Sequence, residues 1–180
     1  MSSPLIPGPA AHGLDRIFRT ARSEHRAALA VYYPVGFPTV EQSLRLLPAL
    51  AQYADIVEVG LPFSDPVMDG PTIAQATRQA LAAGFRLTHL FTAIREIRTA
   101  SRAAVLVMTY WQPVARRGAD RFAAELAHAG AAGAIIPDLP LEEAGPWLAA
   151  ARAHGLYTVP VVAPRQAMSA WPGSAPPQAA

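Results

Sequence analysis

Cysteine and lysine are both absent from the 180 residues. Without cysteine there is no disulfide, no thiolate nucleophile and no sulfur ligand for a metal. Without lysine, Schiff-base chemistry with pyridoxal phosphate or a substrate carbonyl has no side-chain amine to use. All 15 basic residues are therefore arginines, and against 13 acidic ones they leave a formal net charge of only +2. They are scattered over 16–26, 95–102 and 116–121 without interleaved aromatics. That pattern describes solvated helix faces, and no nucleic-acid partner is expected. No apolar run is long enough to cross a bilayer, so no membrane contact is expected either. The segment Met1 to Gly13 holds Pro4, Pro7 and Pro9 and lacks the basic-then-apolar order of a secretory leader, which leaves the cytoplasm as the expected location. The five histidines, His12, His25, His89, His128 and His154, show no ligand spacing and are read as surface residues.

What is present is a chain that is 52% hydrophobic and 16% charged, enough for one sizeable core and one whole or partial domain. Strand-like and helix-like runs alternate along it. Leu14, Ile17, Phe18 and Ala21 recur at helical spacing, predicting a helix over 14–26. A buried strand is predicted over 28–34, a helix over 40–52, a second strand over 55–59, and helices over 72–83 and 88–102, with Gly84 as a carboxyl-terminal cap. A third strand over 104–109 leads into a loop at Tyr110-Trp111-Gln112-Pro113. A helix over 119–129, a fourth strand over 133–136, a helix over 141–154 and a fifth strand over 157–162 complete the pattern. Such alternation predicts an α/β protein with a parallel sheet, whose polar loops follow the strands and gather on one face of a (β/α) barrel.

The richest stretch runs from Asp55 to Ile73. Ile56, Val57 and Val59 favour an extended backbone, and Glu58 sits among them, where a charge is expensive unless a site uses it. Glu58 is expected at the strand's carboxyl end, facing a cleft. Asp69 follows in a loop stiffened by Pro62, Pro66 and Pro71, with Asp69-Gly70 marking a tight turn. One strand and its loop thus present two acids. Each has a plainer reading. A strand-end carboxylate often caps a helix or joins an ion pair, and an aspartate before glycine is common in turns. Asp138 is as readily a cap for the helix beginning near Leu141 as a functional group. Tyr32, Tyr110 and Trp111 read as core or pocket wall.

The segment Glu58-Val-Gly-Leu-Pro-Phe-Ser-Asp-Pro-Val-Met-Asp-Gly-Pro-Thr72 resembles the signature of the tryptophan synthase α subunit family. Tyr33-Pro-Val-Gly-Phe-Pro38, Val107-Met-Thr-Tyr110 and Pro137-Asp-Leu-Pro-Leu-Glu-Glu143 resemble further family segments in the same order, so that the likeness spans roughly 14–164. The resemblance implies a (β/α)8 TIM barrel that cleaves indole-3-glycerol phosphate to indole and glyceraldehyde 3-phosphate, with no metal or organic cofactor. It implies Glu58 as general acid/base, Asp69 as the carboxylate that binds the indole N–H, and Tyr32, Met108 and Ile135 as apolar lining of the indole pocket. It also implies Asp65 and Pro66 as contacts to a β subunit, in an α2β2 complex that turns the indole into tryptophan.

Departures accompany the likeness. Gln112 stands where the family usually has asparagine. After Pro164 the family continues through a sixth strand, a mobile loop and two glycine-rich phosphate loops. Here 165–180 instead holds three prolines and no apolar period, as a disordered or frameshifted tail would. The expected organisation is a tail over 1–13, a partial barrel of about five β/α units over 14–164, and a non-homologous tail over 165–180. Without the phosphate loops, activity of the chain alone is expected to be weak or absent. The alternative is a non-catalytic barrel fragment that binds a β subunit or another barrel fragment. A metal-dependent lyase with Glu58 and Asp69 as ligands is disfavoured, because no third oxygen or imidazole ligand recurs nearby.

Overall fold

The computed structural model describes residues 12–161, in which five strands alternate with helices. The strands are β1 (Ala30–Pro34), β2 (Ile56–Gly60), β3 (Ala104–Met108), β4 (Gly133–Ile135) and β5 (Tyr157–Val159). All neighbours pair in parallel, in the sequential order β1-β2-β3-β4-β5. Strand order that follows chain order, with a helix at each crossover, is the winding of a (β/α) barrel wall.

The helices are α1 (His12–Ser23), α2 (Val40–Leu50), α3 (Pro71–Ala82), α4 (Leu87–Ala100), α5 (Trp111–Arg117), α6 (Ala119–Ala129) and α7 (Gly145–Ala153). Of these, α2, α4, α6 and α7 pack side by side over one face of the sheet. In α4, Leu90, Ala93, Ile94 and Ile97 fall at spacings of three and four and are all fully buried. They meet Val57, Val59, Val105 and Val107 of the two central strands, which are also 0% exposed. The alternate residues Ile56, Ala104 and Leu106 turn to the other face, where Leu14 and Ile17 of α1 close the sheet's amino-terminal end. Arg26 fastens that end with two hydrogen bonds to the Asp55 carboxylate, at 2.6 and 2.9 Å, and the Leu29 N–H donates to the same group at 2.8 Å. Among the described residues no helix is long and apolar enough to cross a membrane.

Several expectations need correction. Glu58 is the third of five residues in β2 and not its end, because the ladder continues through Gly60, whose carbonyl accepts from the Val35 N–H at 3.0 Å. The loop expected at 110–113 opens α5 instead. Pro113 is tolerated in its first turn, where a missing N–H leaves no intrahelical bond unmade. The helix expected from Leu141 begins at Gly145, which puts Pro146 in its first turn, where a missing N–H leaves no intrahelical bond unmade. Phe18, expected in the apolar stripe of α1, is 54% exposed, because that helix touches only the end of the sheet and buries a narrow strip. The tail expected over 1–13 overlaps α1, which starts at His12; its first eleven residues and the tail expected over 165–180 lie outside the described residues.

Glycine at 133 is required by close packing. A Cβ there would collide with the backbone carbonyl of Tyr157 on the neighbouring strand, which cannot yield as a side-chain tip can. Gly133→Ala is expected to lower stability by about 1–3 kcal/mol, and the loss should be localised. Hydrogen exchange should show β4 and β5 amides losing protection while β1 to β3 keep theirs.

Candidate active site

The site begins with register. Tyr32 on β1 is the Cα partner of Glu58 on β2, which is in turn the partner of Leu106 on β3. Register partners in a parallel sheet point to the same side, so tyrosine and glutamate stand next to each other on the face away from the main helix layer. One pleat further on, Gly60, Met108 and Ile135 form the next row. The Tyr32 ring lies across Gly60 so closely that a Cβ there would overlap the phenol. Glycine is what allows the ring to lean towards the loops at the strands' carboxyl ends. Met108 is half-buried and Ile135 is buried, and both belong to the apolar cluster on this face.

The loop after β2 brings the second acid. Its turn closes with the Asp69 N–H donating to the Pro66 carbonyl at 3.1 Å and the Val67 N–H to the Asp65 carbonyl at 2.9 Å. It is then tied to the loop after β3. The Met68 N–H donates to the Tyr110 hydroxyl at 2.9 Å, and the Tyr110 ring packs on Phe63 with centroids 5.2 Å apart. The loop after β4 joins them, because the Trp111 N–H at the start of α5 donates to Asp138 Oδ1 at 2.8 Å. Asp138 therefore caps α5, on the neighbouring β/α unit, and not its own following helix.

Electrostatics bring these groups together. Burial pushes the Glu58 carboxyl above its ordinary pKa. Burial also raises Asp69, with a hydrogen bond from the Tyr110 hydroxyl opposing the rise. The Tyr32 phenol is pushed up strongly, first by burial and then by the fields of Asp69, Tyr110 and Glu58. One phenol thus senses both acids. The arrangement sets a half-buried carboxyl beside a phenol on the sheet face away from the main helix layer, next to an apolar cluster, with a second half-buried carboxyl in the loop after β2. Among the described residues no three His, Cys, Asp or Glu side chains are grouped to hold a metal ion.

The residues expected at the site do not all meet. Glu58, Tyr32, Met108 and Ile135 share the sheet face, and Asp69 is linked to them through Tyr32. Asp65 is exposed and Pro66 half-buried on the outside of the loop, beside Val67 and Met68, which are 72% and 55% exposed. Sequence reading placed Tyr110 only as wall and gave Gly60 no role. The cue for Tyr110 was its position directly after the strand-three segment, where a loop residue can reach its neighbour. The exposed Val67-Met68 pair was legible as two large apolar residues inside a proline-rich loop.

The raised pKa of Glu58 has a stability consequence. A carboxyl whose pKa is higher folded than unfolded contributes stability that is complete below the unfolded value, about pH 4.3, and is lost as pH rises through the folded value. Glutamine carries no charge at either pH. Glu58→Gln is therefore expected to raise the melting temperature at pH 7 and to leave it nearly unchanged at pH 3.5, as paired thermal melts would show.

The family model for the tryptophan synthase alpha chain matches residues 18–171. The tryptophan synthase alpha chain of Streptomyces coelicolor is 51% identical over 152 residues, covering 84% of this chain and 56% of that one. The one from Thermobifida fusca is 49% identical, with 84% and 56% covered. A Mycobacterium tuberculosis tryptophan synthase structure superposes with a TM-score of 0.84 at 46% identity over 87% of this chain and 61% of that one. The α2β2 complex from Pyrococcus furiosus gives 0.76 at 36% identity over 79% and 61%. The chain thus spans about 56% of the length of these curated relatives. Its parallel wall of strands is part of the barrel they share, and the chain belongs to the tryptophan synthase alpha chain family.

Proposed function

We propose that this chain carries the acid–base half of a tryptophan synthase α-type lyase, the part that cleaves indole-3-glycerol phosphate to indole and glyceraldehyde 3-phosphate in tryptophan biosynthesis. What supports this reading is that Tyr32, the register partner of Glu58, feels the fields of both Glu58 and Asp69, in a chain 51% identical to an α chain. Cleavage needs a proton on the ring carbon that bears the side chain, which turns the indole into an electron-poor indolenine. Loss of the proton from the neighbouring hydroxyl then lets the carbon–carbon bond break, its electron pair returning to the ring and an aldehyde leaving.

Glu58 fits both proton transfers, because a carboxyl that burial raises above its ordinary pKa gives up a proton less readily and takes one back more readily. Asp69 fits the ring N–H, where a negative charge favours the positive indolenine. Burial works against that charge, and the Tyr110 hydroxyl works for it. Tyr32, Met108 and Ile135 supply a surface for a flat aromatic ring. No metal or organic cofactor enters this chemistry. Asp65 and Pro66, with exposed Val67 and Met68 beside them, suit a β-subunit contact, and a structural neighbour is an α2β2 complex. The cytoplasm is the setting this reading requires.

A second reading rests on the sheet. Within the described residues β1 and β5 each pair on one side only, and unpaired edges invite another chain. On that reading the chain is a barrel fragment that binds a β subunit or a complementary barrel fragment without catalysis.

A chimera decides between them. Residues 14–161 would replace the matching segment of the Streptomyces coelicolor α chain, and indole release would be assayed. The chimera is expected to release indole, and Glu58→Gln within it to lose activity by at least about 10²-fold while still binding a β subunit. An inactive chimera that binds a β subunit supports the fragment reading, and unchanged turnover in the glutamine variant contradicts the assignment of Glu58.

A further inference from the structure

The hydroxyl of Tyr32 is unused by the fold. Its chain neighbour Tyr33 donates to the Phe37 carbonyl at 3.0 Å, and the Tyr110 hydroxyl accepts from the Met68 N–H at 2.9 Å. Among the described residues the Tyr32 hydroxyl has no hydrogen-bond partner. Nor is it sealed in, since the fully enclosed side-chain polar atoms that lack a partner there are Trp147 Nε1 and the Tyr157 hydroxyl. Phenylalanine would supply the same half-buried ring, so packing gives this hydroxyl no task.

Two contacts set its place. Register puts Tyr32 beside Glu58. The tip of the ring lies over Gly60, where the missing Cβ leaves room, and this carries the hydroxyl one pleat beyond Glu58 into the row of Met108 and Ile135. Burial first, and then the charges of Asp69, Tyr110 and Glu58, hold the proton on the phenol, so it remains a donor whichever form the two acids take.

That place matches one oxygen of the substrate. In indole-3-glycerol phosphate the ring carbon bearing the side chain lies two bonds from the nitrogen, and the reacting hydroxyl is on the next carbon. Glu58 has to reach both, which brings that hydroxyl beside the phenol next to Glu58. We propose that the Tyr32 hydroxyl binds this side-chain hydroxyl, donating a hydrogen bond to its oxygen while Glu58 takes its proton. The proposal rests on the lyase reading above and adds a polar role to a residue otherwise needed only for its ring. As the proton passes to Glu58 the carbon–carbon bond breaks, its electron pair returns to the ring and the oxygen becomes the aldehyde carbonyl. Tyr32 keeps its own proton throughout and stabilises the oxygen while negative charge builds on it.

The test compares two probes that differ only in that oxygen, indole-3-methanol and 3-methylindole, titrated into the chain and followed by NMR. Tyr32→Phe is expected to weaken indole-3-methanol about fivefold, the order of one neutral hydrogen bond, and to leave 3-methylindole unchanged. The melting temperature should not fall, because the lost hydroxyl has no partner in the fold. In the chimera the same substitution is expected to lower kcat about tenfold or more with KM within about twofold. Equal weakening of both probes would leave Tyr32 as pocket wall and overturn the proposal. So would an unchanged affinity for indole-3-methanol, or its failure to bind the parent chain. An inactive chimera would contradict the lyase reading, while the binding comparison, which needs no turnover, still decides the contact.

Discussion

The row Tyr32, Glu58 and Leu106 across β1, β2 and β3 is the constraint on which the site depends. Side chains alternate along a strand, so a slip of one residue would drive Glu58 into the layer beneath the helices. That layer holds Val57, Val59, Val105 and Val107, all without solvent exposure. An unpaired carboxylate there would cost several kcal/mol, whereas the four valines each gain about 1.5 kcal/mol or more by staying. The core therefore holds the register, and the register aims the glutamate. Gly60 completes the arrangement by leaving room for the Tyr32 ring along the sheet surface.

The second acid is placed by a different kind of contact. No strand fixes Asp69; polar bonds between loops do. Tyr110 reaches from the loop after β3 to the Met68 N–H, and Asp138 reaches from the loop after β4 to the start of α5. Loops after three successive strands are thus joined, and the position of Asp69 depends on residues far from it in sequence. The outer side of the same loop exposes Val67 and Met68.

Most of the scaffold was legible because its signals are local. The spacing of Leu90, Ala93, Ile94 and Ile97 marks a helix, and the β-branched run at Ile56 to Val59 marks a strand. The candidate acids were legible because Glu58 is costly inside that run, and the family segments supplied their roles. What escaped depends on distant partners. The start of α5 is hidden by Pro113 and revealed by Asp138, 27 residues later. The late start of α7 agrees with Pro146, which suits a helix's first turn, a local signal outweighed in the sequence by the apolar pattern around it. The role of Tyr110 could not be read without knowing which turns meet.

The most direct measurement is a titration of indole into the chain, followed by carbon NMR of the Glu58 and Asp69 carboxyl groups and by contacts from the ring protons. Convergence of the two acids on one pocket predicts that both carboxyl signals move with the same saturation curve while the ring touches Tyr32, Met108 and Ile135. Carboxyl signals that respond with different curves, or a bound ring that touches none of those three side chains, would contradict it.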